Sequence, residues 1–271
     1  MITTFFLLFV LTAFFLLVGR VIGGKKGMII AFALACVINF SAYWFSDSMI
    51  LAAYQARPVP AGHRLERITH ELSRRAGMPA PAVHVISNNS PNAFATGRSP
   101  EHAAVAATQG LLDMMSDREI AAVMSHELGH IKNRDTLVAT MAASISGGIL
   151  ILSRMSLFFG GGGSSGWGKR LAVSILAPVA ATLVTLALSR EREYEADAFS
   201  ARLTGRPMDL ADALLGLERA VKRAPMPEHS PETAHLFIVH PFSGNGIGEL
   251  FSTHPPMHKR VERLAAMKNA L

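Results

Sequence analysis

Residues 116–133 have the sequence SDREIAAVMSHELGHIKN, which decides how the centre of the chain folds. Ser116 is followed three residues later by Glu119, and this capping-box pattern indicates the first turn of a helix. The apolar residues that come next recur at intervals of three and four, as they do on the buried face of a helix. The sequence therefore predicts that the pentapeptide HELGH, residues 126–130, lies within a helix.

The two histidines of this pentapeptide are four residues apart. Because residues at that spacing share one face of a helix, His126 and His130 can direct two imidazoles at one metal ion. Glu127 stands beside the first of them, where its carboxylate can accept a proton from a water molecule that zinc acidifies. The pattern predicts a hydrolytic zinc centre, and the alternative is a helix with two surface histidines.

A catalytic zinc centre of this kind needs a third protein ligand and an open fourth position. The charged stretch at residues 189–198, SREREYEADA, contains three candidates, and spacing alone does not choose among Glu191, Glu193 and Glu195. Glu193 and Asp197 are four residues apart, so Glu193 could bind the metal while Asp197 orients a metal-binding histidine. The alternative interpretation is a charged helix that faces solvent.

Four apolar stretches predict that the chain is embedded in a membrane, and half of its 271 residues are hydrophobic. The first two, Ile2 to Gly19 and Met28 to Phe45, are separated by a short basic connection, and each is long enough to cross a bilayer. The other two, Leu137 to Phe159 and Leu171 to Ser189, flank a glycine-rich linker. For this second pair, a buried hairpin that covers the soluble domain is the alternative.

These stretches divide the chain into an N-terminal membrane hairpin (1–46), a first catalytic part (47–136), a second hairpin (137–189) and a second catalytic part (190–271). Alternating residues predict strands at 82–86 and 103–108, with turn residues between them. We expect a mainly α fold with a small β-sheet, comprising up to four membrane helices and a zincin-like catalytic domain. Basic residues near the membrane ends favour a cytoplasmic catalytic domain, whereas the three basic residues of the first loop favour the opposite orientation.

Composition excludes several other classes of site. The single cysteine, Cys36, can form neither an internal disulfide nor a cysteine-based zinc site. The formal net charge of +6 is spread along the polar segments, and no finger or glycine-rich phosphate motif accompanies it. We therefore expect no nucleic-acid partner, and we interpret the charge as that of a domain beside anionic lipid.

Taken together, the motifs resemble those of the HtpX-type membrane zinc endopeptidases of bacteria, relatives of the eukaryotic CAAX prenyl proteases. The resemblance covers essentially the whole chain. Besides the N-terminal apolar hairpin it rests on PNAFATG (91–97), HELGHIKNRD (126–135), the glutamate and aspartate at 193 and 197, and FSTHPP (251–256).

The resemblance implies a role for each matching residue. It implies one zinc ion per chain, bound by His126, His130 and Glu193, with Glu127 as the general base. It further implies that Asp197 supports the ligands, that His254 donates a hydrogen bond to the oxyanion and that Arg260 braces the carboxylates. The predicted edge strand that pairs with the substrate backbone consists of Asn92, Ala93, Phe94, Ala95 and Thr96.

The resemblance also implies a function in membrane protein quality control and stress response, in the bacterial inner membrane, with unfolded or damaged membrane proteins as substrates. Because Glu193 lies four residues past Ser189, about 6 Å along a helix, we expect the site to lie near the lipid headgroups. A second copy of the chain, as a substrate of self-cleavage or as a subunit of a homo-oligomer, is a further candidate partner.

Three rival functions are less well supported by the sequence. A site-two-type intramembrane metalloprotease would carry the motif within an apolar span, whereas charged residues flank it here. A catalytically silent scaffold or chaperone would lack the base or a ligand, and none is missing. A prenyl-protein protease would need a larger membrane chamber than four spans provide.

Overall fold

Helices form most of the described chain, and one small sheet lies among them. The structure is a computed structural model that describes residues 2–139, 190–223 and 255–268. The helices are α1 (Ile2–Trp44), α2 (Ser46–Ala53), α3 (Arg64–Arg75), α4 (Gln109–Met114), α5 (Asp117–Asn133), α6 (Arg190–Thr204), α7 (Pro207–Arg223) and α8 (Met257–Met267). The strands are β1 (Arg57–Pro58), β2 (Ala82–Ile86), β3 (Ala93–Ser99) and β4 (His102–Thr108). The prediction of a mainly α fold with a small sheet is confirmed.

The four strands lie in the order β1-β2-β4-β3, which makes β3 an edge strand of this sheet. The sheet is mixed, because β2 runs parallel to β4 whereas β1 and β3 run antiparallel to their neighbours. Alternate residues of the strands face opposite sides, as the pleat requires. On one side Val105 packs in the main core, and on the other side Phe94 packs with residues of α2.

The strand β3 lies where the local sequence alone predicts a turn, and that local prediction was wrong. Residues 93–96 carry no strongly strand-forming pattern, but their backbone pairs residue by residue with β4. Gly97, with a φ of 132°, lies at an irregularity of this pairing just before the strand ends. A side chain at Gly97 would collide with the backbone of His102, so glycine is required there.

The helix α5 lies at the centre of the main hydrophobic core. It packs against α3, α6, α7 and the sheet, and its own Leu128 is fully buried. Leu65 of α3, Leu214 of α7 and Leu264 of α8 are also fully buried in this cluster. The packing brings α6 onto the helix that carries HELGH, and α8 packs on α6 and α7.

The N-terminal helix α1 bends back on itself at Gly23 and Gly24. Gly24 has a φ of 59°, a left-handed conformation that glycine adopts without strain. The two arms approach closely where Gly19 meets Gly27. Farther along, the Asn39 side chain joins them through a hydrogen bond of 3.0 Å to the Thr12 hydroxyl.

Within residues 2–139, 190–223 and 255–268, one helical stretch, Gly23–Ser41, is long and apolar enough to cross a membrane by length and composition. It covers most of the second predicted span, and its large apolar side chains, such as those of Ile30 and Phe40, are exposed. The structure thus accounts for one of up to four predicted spans. The third and fourth predicted spans lie, apart from residues 137–139, outside the described residues.

Candidate metal centre

The helix α5 presents its two histidines to one point. Its capping box is formed as the sequence predicts, with the Ser116 side chain accepting from the backbone of Glu119. One helical turn separates His126 from His130, and their Nε2 atoms lie 3.1 Å apart. Two ring nitrogens at this separation are arranged as two ligands of one metal ion.

The third predicted ligand lies on α6, and the structure distinguishes the three glutamates of this helix. Glu191 and Glu195 are exposed, whereas Glu193 is buried and faces the two histidines. Its carboxylate oxygens lie 3.7 Å from Nε2 of His126 and 3.6 Å from Nε2 of His130. Among the described residues these three side chains form the group of His, Cys, Asp and Glu that could hold a metal ion.

The spacing of these ligand atoms fits zinc. Zinc–nitrogen and zinc–oxygen bonds of about 2.1 Å in a tetrahedron place neighbouring ligand atoms about 3.4 Å apart. The three observed separations are 3.1, 3.6 and 3.7 Å. Two imidazoles and one carboxylate are also a donor set that catalytic zinc uses.

Close packing of α5 on α6 gives Glu193 its position. The glycine of the HELGH pentapeptide, Gly129, faces Ala196 of α6. A Cβ atom at Gly129 would lie 3.1 Å from the Cα of Ala196, which is tighter than an ordinary contact. Glycine and alanine at this crossing therefore let Glu193 reach the histidines of the neighbouring helix.

Asp197 and Arg260 lie beside the predicted ligands, and both are buried. The Asp197 carboxylate lies 3.0 Å from Nδ1 of His126, on the opposite side of the ring from the Nε2 atom. Arg260 of α8 donates to both oxygens of Asp197, at 2.8 and 2.6 Å, and lies 3.4 Å from the Glu193 carboxylate. Burial opposes ionisation of Asp197, but the charge and hydrogen bonds of Arg260 outweigh it and lower the pKa to about 2.

Glu127 is buried next to the ligand group, with 4% of its surface exposed. Burial raises the pKa of its carboxyl group, and the nearby Glu193 raises it further, whereas His126 and His130 act in the opposite direction. The backbone N–H of Ala95, on β3, donates a hydrogen bond to this carboxylate. A raised pKa is what a group needs to take up a proton near neutral pH.

His130 has its own carboxylate partner, Asp135, which sequence reasoning missed. The Nδ1 atom of His130 lies 3.2 Å from one oxygen of Asp135, and Arg192 lies 3.3 Å from the other. Burial lowers the pKa of His130, but the hydrogen bond of Asp135 and the charge of Glu193 outweigh it and raise the pKa to about 9. Asp135 follows Arg134, whose φ of 60° ends α5, so no helical spacing relates it to His130.

The predicted edge strand lies beside this group of residues. The Thr108 N–H donates to the Asn92 carbonyl, and from there the antiparallel pairing alternates. The backbone groups of Phe94 and Thr96 therefore face β4. Those of Ala93 and Ala95 face the other way, toward the edge at which no described strand pairs with β3, here called the open edge.

At Gly97 a side chain from the segment that follows α5 contacts the backbone of β3. Its carbonyl oxygen accepts a hydrogen bond of 3.0 Å from the Thr136 hydroxyl, a buried contact from the chain just beyond α5. Of the predicted site residues, His254 lies outside the described residues, and α8 begins three positions later.

Comparisons with known proteins cover almost the whole chain. The model of peptidase family M48 matches residues 61–268. A protease HtpX homolog of Pyrococcus furiosus is 49% identical over 263 residues, which are 94% of this chain and 91% of the relative. Protease HtpX of Legionella pneumophila is 46% identical over 273 residues, with 97% and 98% covered. The crystal structure of S. mikatae Ste24p aligns with a TM-score of 0.55 at 19% identity, covering 93% of this chain and 62% of that structure, and so shows a common fold.

Proposed function

The chain belongs to peptidase family M48, and on this premise we propose that it is a membrane zinc endopeptidase whose ion is held by His126, His130 and Glu193. The family match and the HtpX relatives make it a metalloprotease. Together with the apolar stretch Gly23–Ser41 they indicate a membrane metalloprotease. The resemblance to the HtpX-type endopeptidases is thereby confirmed.

The observation that carries the zinc proposal is the convergence of ligand atoms from three side chains, of which His126 and Glu193 are buried and His130 is partly buried. Each histidine has its Nδ1 atom beside a carboxylate, Asp197 for His126 and Asp135 for His130. A histidine that donates its Nδ1 proton in this way keeps the Nε2 lone pair available for a metal. Both Nε2 atoms face the same carboxylate of Glu193.

The bound ion supplies Lewis-acid chemistry, acidifying a water molecule and polarising the scissile carbonyl. The residues around it hold the reactants and move the proton. Glu127 accepts the proton of the attacking water and later delivers it to the leaving amine. The Ala95 N–H fixes the position of the Glu127 carboxylate between the ligands and the open edge. His254, on the resemblance alone, donates a hydrogen bond to the developing oxyanion.

The open edge of β3 binds the substrate as an added strand. Ala93 offers its N–H and carbonyl and Ala95 its carbonyl, while the Ala95 N–H is bound to Glu127, so pairing depends on an extended substrate backbone more than on its sequence. Folded proteins seldom present such a backbone. We therefore propose unfolded or damaged proteins as the substrate class, with quality control as the function.

The catalytic domain is tied to the apolar N-terminal helix, which supports a site close to the membrane surface. Arg98 of β3 donates to the carbonyl oxygen of Trp44 at 3.2 Å and lies over its indole ring at 4.8 Å. Tyr54, just after α2, packs its ring on Phe94 of the same strand, with centroids 5.3 Å apart. We propose a multi-pass protein of the bacterial inner membrane, with the catalytic domain in the cytoplasm and membrane proteins among its substrates.

The test compares wild type with Glu127→Gln, both purified in detergent as full chains with zinc, on an unfolded protein such as reduced casein. We expect the variant to retain one zinc ion per chain and to lose roughly 10²- to 10⁴-fold in rate. His130→Ala should lose the metal, whereas His70→Ala, which alters an exposed histidine of α3, should behave as wild type. Equal cleavage by wild type and Glu127→Gln would overturn the mechanism, and zinc binding without any cleavage would indicate a silent scaffold.

A further inference from the structure

Asp135 and Arg192 form a pair that no predicted role accounts for. The two oxygens of Asp135 have different neighbours, Nδ1 of His130 at 3.2 Å and Nε of Arg192 at 3.3 Å. We propose that Asp135 is a positioning residue that fixes His130 for metal binding, and that Arg192 in turn fixes Asp135. This inference rests on the proposed zinc centre and extends it.

The arrangement repeats the one on the other histidine. At His126 an aspartate, Asp197, lies between the ring Nδ1 and an arginine, Arg260. At His130 another aspartate has the same two kinds of neighbour. Each metal-binding ring is thus held from behind by a carboxylate that is itself held by a guanidinium. A carboxylate in that position selects the tautomer that leaves Nε2 free to bind the ion.

The two pairs differ in their exposure to solvent. The side chains of Asp197 and Arg260 are 4% and 0% exposed, whereas those of Asp135 and Arg192 are 13% and 23% exposed. Solvent screens the second pair more strongly, so each of its contacts is weaker. We therefore assign tuning of metal retention to Asp135 and Arg192, and the stability of the core to the buried pair.

The position of the pair in the chain gives it a second consequence. Asp135 begins the helical stretch 135–139, and Arg192 lies near the start of α6, so the pair joins the described residues before position 140 to those after position 189. The hydroxyl of the neighbouring Thr136 donates a hydrogen bond to the carbonyl of Gly97, near the end of β3. Residues 135 and 136 therefore contact a metal-binding histidine, the proposed substrate-binding strand and the start of α6.

A purely structural role for Asp135 predicts a different result from a positioning role. At the start of a helical stretch, an aspartate complements the helix N-terminus, so its loss would lower stability without changing metal affinity. Asparagine keeps the shape of the side chain, but its amide can turn its NH₂ group toward the ring and favour the wrong tautomer. Asp135→Asn should therefore raise the zinc dissociation constant roughly 10- to 100-fold.

The experiment measures zinc affinity in the full chain in detergent by competition with a chromophoric chelator, together with the melting temperature of the metal-free protein. Asp135→Asn should bind zinc at least tenfold more weakly, while the metal-free melting temperature falls by only a few degrees, as expected for the loss of partly exposed contacts with His130 and Arg192. The absorption spectrum of the cobalt-substituted protein should change as well, because the ligand field at His130 is altered. Asp113→Asn and Arg206→Gln, both exposed, are the matched controls.

Arg192→Gln tests whether the arginine acts through the aspartate. Alone it should weaken zinc binding severalfold. Combined with Asp135→Asn it should add little, because Arg192 acts on His130 through Asp135, and that contact is already lost in the asparagine variant. Arg192→Lys should retain part of the affinity as a point charge without the guanidinium geometry. Full additivity of the two substitutions would overturn the proposed order of action.

The outcomes separate this inference from the proposed function. If wild type binds zinc and cleaves while Asp135→Asn has an unchanged affinity and cobalt spectrum, the positioning role is wrong and the zinc endopeptidase stands. A lowered metal-free melting temperature with unchanged affinity would assign Asp135 to structure alone. If wild type binds no zinc, both proposals are overturned.

Discussion

Replacement of Arg260 by methionine should destabilise the metal-free protein strongly. Arg260 is fully buried, and it bonds to both oxygens of Asp197 and lies 3.4 Å from Glu193. Methionine keeps the unbranched stem and removes the charge and the donors. Two buried carboxylates are then left close together without the cation that neutralises them.

Removal of one member of a buried ion pair costs about 3–5 kcal/mol, since the partner stays buried and uncompensated. For a chain of this size, each kcal/mol corresponds to about 2–4 °C in melting temperature, so Arg260→Met should melt on the order of 10 °C lower. Bound zinc brings positive charge to the same carboxylates. The difference in melting temperature between Arg260→Met and wild type should therefore be smaller in the zinc-loaded protein.

The stability lost in Arg260→Met should change with pH in a direction that the pKa of Asp197 determines. In wild type the folded-state pKa of Asp197 is about 2, below its ordinary value of 3.8, so its stabilising contribution is present above pH 3.8 and is lost as pH falls toward 2. Without Arg260, burial raises the pKa of the same carboxyl above its ordinary value. The variant should therefore recover stability on acidification from pH 7.5 to 5, where wild type gains nothing from this group.

The assay follows thermal unfolding of both metal-free proteins in detergent by tryptophan fluorescence at these two pH values. Arg263→Met is the matched control, because Arg263 is exposed on the same helix and, among the described residues, loses a contact with the Tyr194 ring worth about 0.5–1 kcal/mol. A melting temperature for Arg260→Met within about 2 °C of wild type at pH 7.5 would refute the reasoning. So would a difference from wild type that widens on acidification.

Two further substitutions test the helix crossing and the substrate edge. Gly129→Ala should gain about 1 kcal/mol in helix propensity, yet weaken zinc binding severalfold, because the new methyl group pushes against Ala196 and moves α6 with Glu193 away from α5. Chelator competition measures the zinc affinity, and an unchanged affinity would mean that α5 and α6 accommodate the methyl group without moving Glu193. Ala93→Pro removes an N–H that faces the open edge, where proline is tolerated in a sheet, so zinc content should stay at one ion while kcat/KM on unfolded protein falls at least tenfold. Wild-type kcat/KM in this variant would place the substrate elsewhere.

The parts of the site that follow local rules were predictable from the sequence. The capping box at Ser116 and the four-residue spacing of the histidines both depend on helix geometry, and the structure has both. The choice of Glu193 rather than Glu191 or Glu195 as the third ligand does not follow from such local rules. It depends on which face of α6 packs on α5, which the residues of α6 alone do not reveal.

Asp135 and the strand β3 show what the local sequence pattern alone could not predict, although the family resemblance did imply an edge strand at residues 92–96. Asp135 reaches His130 because Arg134 reverses the chain direction at a φ of 60°, and no sequence spacing encodes that reversal. Residues 93–96 become a strand by pairing with β4 and by burial on both faces, although their local pattern favours a turn. Both features are set by tertiary contacts.

The small residues around α5 connect these observations. A carboxylate or imidazole reaches only a few ångströms from its backbone, and bonds to zinc are near 2.1 Å, so three ligands from two helices meet only if the helices nearly touch. Gly129 and Ala196 allow that approach on one side of α5. On the other side the alanines of β3 and β4 bring the Ala95 N–H to Glu127. These residues carry no reactive group, yet their lack of bulk determines which reactive groups meet, and a larger side chain at any of them should damage metal binding or proton transfer before it unfolds the protein.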